Sequence, residues 1–418
     1  MKKCIFTIVA KNYIGLGEIL GSSIARFHDD VDFRIFVADE FDTQPSQLPD
    51  NVIVTRNLLG YSNDEWEDMA FKYDLTEFCT AIKPACFQYV FEQGYDRALY
   101  MDPDTFAFAS LQPIFQVLDT YDVALTPQIA RIHIHYTGEH PEWAMNVNGI
   151  FNLGFCGMAN TPITQQVLQW WRLRLKKECF TDRCVGDFTD QKWMDWMPGF
   201  LGNDHLYVFH QLGMNMAPWN FFERELIEKD GQIMVRLRTD DGSKDEEPLL
   251  FMHFAGYDYE QMKHGVVARK RIENLKEYAD LAIATNIYRD ALVAQRDVFD
   301  SFIHNTYSYG TYTDGTPITS FHRRLYHGLS QEQEVKHPFS TDKASFYAMA
   351  RRKGMLAGGN VDKLTHRNMP NIDRKRRQIA LLFSALYRLA GYKRYVLFVK
   401  SLYDYCRPEL HTFLIKKK

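Results

Sequence analysis

The chain lacks an apolar run able to cross a bilayer. The stretch from Ala144 to Trp171 carries no Asp, Glu, Lys or Arg, but Asn146, Asn148, Asn152, Asn160, Pro162 and Gln165 break it. Inserting that many polar groups is too costly, so no transmembrane helix is expected. Nor is a signal peptide expected from the first residues: after Met1-Lys2-Lys3 the apolar residues Cys4 to Ala10 meet Lys11 too soon, and they read as a first strand. Cysteine is scarce, with seven residues (4, 79, 86, 156, 179, 184, 406) at irregular spacing. An odd, unpatterned set excludes a disulfide scaffold and points to reduced thiols in a cytosolic protein. Cys179 and Cys184 have no second pair at finger spacing, which argues against structural zinc. Repeats and low-complexity segments are absent. What is present is ordinary globular composition, 46% apolar and 24% charged over 418 residues, enough for two or three domains.

The formal charge of -4 hides an asymmetry. From Arg351 to Lys418 there are 17 Lys and Arg against 4 Asp and Glu, so the other 350 residues carry 32 against 49. An acidic body is joined to a basic tail.

Up to about residue 260, strand and helix signals alternate. Ile5–Ala10, Phe33–Ala38, Val52–Thr55, Ala98–Met101, Val123–Thr126, Gly149–Met158 and Leu249–Phe254 read as strands. Residues 15–28 and Leu75–Gln93 read as helices, the second stopping at Gly94. Strands spaced by helices predict a mostly parallel α/β sheet, with ligands off the carboxyl ends of its strands. Beyond residue 260 helical patterns dominate: 267–303, then a segment from about 375 with Gly391 as its expected stop. The predicted domains are 1–260 and 261–418.

Asp102-Pro103-Asp104 is the sharpest chemical feature. It follows the strand Ala98–Met101 and precedes Phe106-Ala107-Phe108. Two carboxylates one residue apart at a strand end suit Mg²⁺ or Mn²⁺, which can bridge a diphosphate as it leaves. A turn capped by solvated aspartates is the plainer alternative. His253 ends an apolar strand and can complete a metal shell or bond backbone in the core. Tyr13 offers a face for a nucleobase or a half-buried core ring.

At these residues the sequence resembles the metal-dependent nucleotide-sugar glycosyltransferases of the GT-A fold, above all glycosyltransferase family 8 and related bacterial polysaccharide transferases. Ala10-Lys11-Asn12-Tyr13 looks like the family's nucleotide-binding turn. Asp102 and Asp104 match its metal motif, and Phe151-Asn152-Leu153-Gly154 its sugar-site strand. Asp190-Gln191 resembles the pair beside the reacting carbon, Met214–Phe221 the element after it, and His253-Phe254-Ala255-Gly256 the start of the metal and phosphate motif. The resemblance covers residues 5–260. It implies a Rossmann-like mixed sheet flanked by helices, with a helical C-terminal domain. It also implies nucleotide-sugar binding by Ala10, Asn12, Tyr13, Lys83, Asp102, Asn152, Gly154 and Gly256, and Mn²⁺ or Mg²⁺ on Asp102, Asp104 and His253. Gln191 and Asp190 would be catalytic in a retaining transfer of a hexose from a UDP-linked donor to a bacterial surface glycan such as O-antigen or capsule. Two departures stand out. Ala10 replaces an acidic residue that reads the base, and Tyr257-Asp258-Tyr259 replaces the usual Lys-Pro-Trp. A phosphate-binding lysine must come from elsewhere, with Lys83 and Lys263 the candidates.

Two other classes compete. Gly15-x-Gly17-x-x-x-Gly21 followed by Asp39 suggests a dinucleotide-binding oxidoreductase, although the glycines are spaced one residue too far. A non-catalytic glycan-binding or assembly subunit would keep the fold. In the tail, Arg374-Lys375-Arg376-Arg377, Lys393-Arg394 and Lys416-Lys417-Lys418 alternate with aromatics. Such a segment, 374–418, suits an anionic membrane surface on the cytoplasmic side, where a lipid-linked acceptor is presented; a solvated basic face is the alternative. No nucleic-acid motif accompanies the charge.

Overall fold

The computed structural model describes residues 1–41, 48–238, 245–270, 278–356 and 371–416. The chain divides into two compact units: Met1–Tyr61 with Leu75–Ser308, and Ser62–Asp74 with Tyr309–Lys418.

The first unit is built on β1 (Lys3–Val9), β2 (Val31–Val37), β3 (Val52–Val54), β4 (Arg97–Met101), β6 (Val123–Pro127) and β7 (Phe151–Ala159), with β5 (Thr105–Ala107) outside the sheet. The order across the sheet is Leu206–Val208, β6, β7, β4, β1, β2, β3. β1 runs parallel to β2 and β4, whereas β7 lies antiparallel between β4 and β6. Six of the seven residues of β1 are buried, as an inner strand covered on both faces requires. Helix α1 (Ile14–Ala25) closes one face. Its Leu16 and Ile19 pack with Phe106, Met252 and Phe254, and its Leu20 and Ile24 with Ile5 and Leu99. This is the expected α/β class, a mixed sheet flanked by helices with a helical C-terminal region, and it matches a GT-A-like fold with accessory helices.

The strand directions place the site. β1 and β4 are parallel neighbours, so the turn after Val9 and the acidic turn after Met101 leave the sheet at the same edge. Antiparallel β7 brings its start there: Phe155 pairs with Met101, which sets Asn152 and Gly154 beside Asp102. β5 pairs with Phe251–His253 and puts His253 opposite Thr105.

One helix departs from expectation. Leu75–Gln93 is two helices, Leu75–Ala81 and Lys83–Glu92, because Pro84 has no N–H to continue the ladder and sits instead in the first turn of the second. Gly391 stops the C-terminal helix as expected: at φ 73° and ψ 167°, a conformation glycine accepts freely, it breaks Ile372–Asp404 into two helices. Ring centres of Phe383 and Tyr395 lie 6.4 Å apart, whereas twelve residues of straight helix span about 18 Å. The two arms therefore fold back at Gly391. Sequence reading also missed the hairpin Arg224–Lys229 and Gln232–Leu237, although Asp230-Gly231 between them is a strong turn signal.

The second unit packs Phe71, Leu325, Tyr326 and Phe346 around Tyr312. Buried Arg323 donates to the carbonyls of Ala70, Phe71, Tyr73 and Tyr309, which satisfies the end of helix Asn63–Lys72. Lys417 and Lys418 of the basic tail lie outside the described residues. Among the described residues no helix is long and apolar enough to cross a membrane. Among the described residues no disulfide joins any of the seven cysteines.

Candidate active site

Asp102, Asp104 and His253 converge, with one potential ligand atom from each within 4.8 Å of the others. His253 Nε2 lies 3.0 Å from Asp104 Oδ1 and 3.7 Å from Asp102 Oδ2. Backbone pairing fixes the cluster: Phe254 N–H donates to Asp104 O at 2.7 Å, and Asp102 N–H to Gly154 O at 2.9 Å. Tyr100 donates to Asp102 Oδ1 at 2.5 Å, and the Tyr259 hydroxyl lies 3.1 Å from Asp104 Oδ2. The Trp219 ring stands edge-on to His253, with centres 5.2 Å apart. Gly154 is required where it is, since a Cβ there would come within 2.6 Å of the His253 ring.

Electrostatics follow from burial and contact. Burial pushes the Asp102 carboxyl up, against the pull of His253 and Lys83. Burial also opposes ionisation of Asp104, but His253 beside it outweighs this and holds the carboxyl below its usual range. For His253 burial pulls down, and the two aspartates reverse the sign and raise it. Two carboxylate oxygens and an imidazole nitrogen this close together could coordinate a divalent cation.

Asp102 and Asp104 border a cavity of about 400 Å³. Ala10, Tyr13, Asp102, Asp104 and Gly256 line it, together with Tyr259. Behind it lies a hydrogen-bonded wall. Asn152 Oδ1 accepts from Gly154 N–H at 3.1 Å and from Asn215 Nδ2 at 2.9 Å, while Gln191 Oε1 accepts from Leu153 N–H at 3.1 Å. Gln191 Nε2 donates to Asn148 O at 2.9 Å. Asp190 is paired with Lys83 at 2.5 Å, with side chains 3% and 1% exposed. Lys83 also donates to Leu153 O at 2.8 Å and lies 3.9 Å from the centre of the Tyr100 ring. Asn12 does not line the cavity, and its Oδ1 is buried without a hydrogen-bond partner.

Two functional candidates escaped sequence reading. Asn215, at φ 50°, ties Asn152 to Thr126. Lys270 lines the cavity: its N–H donates to Gly256 O at 2.8 Å, and its Nζ lies 3.1 Å from Asp258 Oδ1 on a half-exposed side chain. The bridge of Tyr257 to Arg269 brings it there, and no short spacing announces it. Lys263 instead pairs with Glu260 and Asp300.

The residues proposed for a dinucleotide have other work. Asp39 is buried, accepting from the N–H groups of Lys11 and Ser308. Gly15, Gly17 and Gly21 pack closely on Phe299, Ile35 and Phe33. His133 Nε2 lies 3.0 Å from Glu223 Oε2.

No family model matches the chain. The uncharacterized protein YfnF of Bacillus subtilis strain 168 is 28% identical over 223 residues, 52% of this chain and 68% of its own length. YfnD of the same organism is 28% identical over 186 residues, 43% of this chain and 54% of its own length. Among solved structures, the galactosyltransferase LgtC in complex with donor and acceptor sugar analogues is similar at TM-score 0.40 and 15% identity, over 70% of this chain and 95% of that one. The glycosyltransferase GlyE of Streptococcus pneumoniae TIGR4 is similar at TM-score 0.35 and 13% identity, over 75% and 67%. Likeness this distant says nothing of activity, and the fold stands on the sheet topology above.

Proposed function

We propose that the chain is a metal-dependent glycosyltransferase that moves a hexose from a UDP-linked donor to a hydroxyl of a bacterial surface glycan, with retention of configuration. One observation carries this reading: the turn after β1 and the two aspartates that converge with His253, Asp102 and Asp104, border the same cavity. The catalytic part is assigned to residues 1–260, extended to Lys270 within the first compact unit. Tyr13 and Ala10 would hold the base, with Asn12 beside them. A divalent ion held by Asp102, Asp104 and His253 would neutralise charge on the departing diphosphate. Lys270 takes the place of the missing phosphate-binding lysine. Asn152, Gly154 and Gly256 shape the sugar and phosphate sites. Gln191 is assigned to the edge of the reacting centre, and Asp190, buried on Lys83, positions it. The segment 374–418 would dock on an anionic bilayer beside a lipid-linked acceptor, supported by Leu381, Leu382, Leu389 and Tyr392, each at least two-thirds exposed among cations.

The test is hydrolysis of a nucleotide-sugar panel with and without Mn²⁺. Turnover of a UDP-hexose that needs the metal, and that Asp104→Ala abolishes, supports the reading. No turnover or thermal shift with any UDP-sugar rejects it.

A further inference from the structure

Directly after Gln191 the chain forms the turn Lys192–Trp196 and the helix Met197–His205. Trp193, Trp196 and Phe200, spaced three and four residues apart, fall on one side of this segment and line an open cleft of about 840 Å³. Trp170, from helix Pro162–Leu175, completes the aromatic set. Its ring centre is 5.9 Å from Trp193 and 5.2 Å from Phe200, and Phe200 lies 5.6 Å from Trp196. Trp196 is 56% exposed and Phe200 51%, which is costly for rings this large unless something covers them.

We propose that this cleft holds a hexopyranosyl ring of the glycan acceptor, an assignment that rests on the glycosyltransferase reading of the adjoining site. A sugar ring has an apolar C–H face and a rim of hydroxyls. Trp196 and Phe200 offer the flat apolar surface, and Glu178, Asp187, Asp195 and Lys192 supply a polar rim. Three carboxylates against one ammonium would repel an anionic bilayer, so the aromatic surface is not a second membrane contact.

Hydrogen bonds tie the cleft to the strand that carries the candidate site residues. Asp195 Oδ1 accepts from Ile150 N–H at 2.9 Å, and Lys192 bonds Asp195 Oδ2 at 2.8 Å. Ile150 leads into β7, whose Asn152 and Gly154 lie next to Gln191 and His253. Four residues of extended chain from Ile150 to Gly154 span about 13 Å, so a glycan lying in the cleft would end near the metal cluster.

The experiment is capture of the full chain on an array of immobilised oligosaccharides and bacterial surface polysaccharides. The wild type is expected to bind a subset of glycans. Trp196→Ala and Phe200→Ala are each expected to weaken that capture by at least about tenfold, with unchanged melting temperature. Leu173→Ala, an exposed apolar truncation outside the cleft, should bind as the wild type does. Wild-type protein that captures no glycan, or both cleft variants capturing as well as wild type, would overturn the proposal. UDP-hexose hydrolysis by the wild type is scored separately, so failure of the donor reading shows there and not on the array.

Discussion

Lys83 and Asp190 stand 107 residues apart in sequence and meet at 2.5 Å with almost no exposure, behind the strand that carries Asn152 and Gly154. Replacing Lys83 by Met keeps its length and removes its charge. It strands the Asp190 carboxylate and takes the donor from Leu153 O. Breaking one side of a buried ion pair costs about 3–5 kcal/mol. In a unit of this size that lowers the melting temperature by about 6–20 °C. Asp190→Asn strands the lysine and should cost a comparable amount. The double variant removes both charges, so its loss should be smaller than the sum of the singles by about 3 kcal/mol. Urea unfolding of the four proteins, followed by tryptophan fluorescence, measures the cycle. Additive losses, or single losses below about 1 kcal/mol, would show that the pair is solvated and refute the buried wall behind the site.

Three further outcomes are expected. Gly154→Ala pushes a methyl against His253 and should weaken Mn²⁺ binding by roughly 10- to 100-fold, read by electron paramagnetic resonance; unaltered binding would remove the cluster's dependence on that contact. His327 is buried, and burial, aided by the charge of Lys72, pulls its pKa down to about 4. Its folded value lies below the unfolded value of about 6.5, so its contribution is intact above pH 6.5 and is lost as pH falls toward 4, by about 3 kcal/mol. His327→Gln should flatten that part of the acid unfolding curve, and identical curves would contradict the assignment. The full chain should float with liposomes containing anionic lipid and not with neutral ones, and deleting 374–418 should abolish this, each cation near the surface adding about 1 kcal/mol; equal flotation with both would refute membrane docking.

The metal cluster was legible because its parts sit at strand ends, where sequence pattern and topology agree. Asp102 and Asp104 follow an apolar strand, and His253 ends another, so the pairing of β5 with Phe251–His253 needed only the fold to bring them together. The hydrogen-bonded wall was not legible. Nothing near Lys83 tells that Asp190 is its partner, and the fold buries a lysine offered for the phosphate against that carboxylate. Lys270 was hidden for a similar reason, since its place depends on a backbone bridge between Tyr257 and Arg269. In the C-terminal arm the glycine signal was legible: Gly391 ends one helix, and the ring contacts of Tyr395 with Phe383 and Tyr387 show the next folding back on it.

The central claim is that Asp102, Asp104 and His253 form a metal site serving a nucleotide diphosphate in the adjoining cavity. Calorimetric titration of UDP into the full chain, with and without Mn²⁺, tests it most directly. The account predicts that Mn²⁺ tightens UDP binding by at least about tenfold, and that Asp104→Ala abolishes this coupling. UDP binding of equal strength with and without Mn²⁺, or coupling that survives in Asp104→Ala, would contradict it.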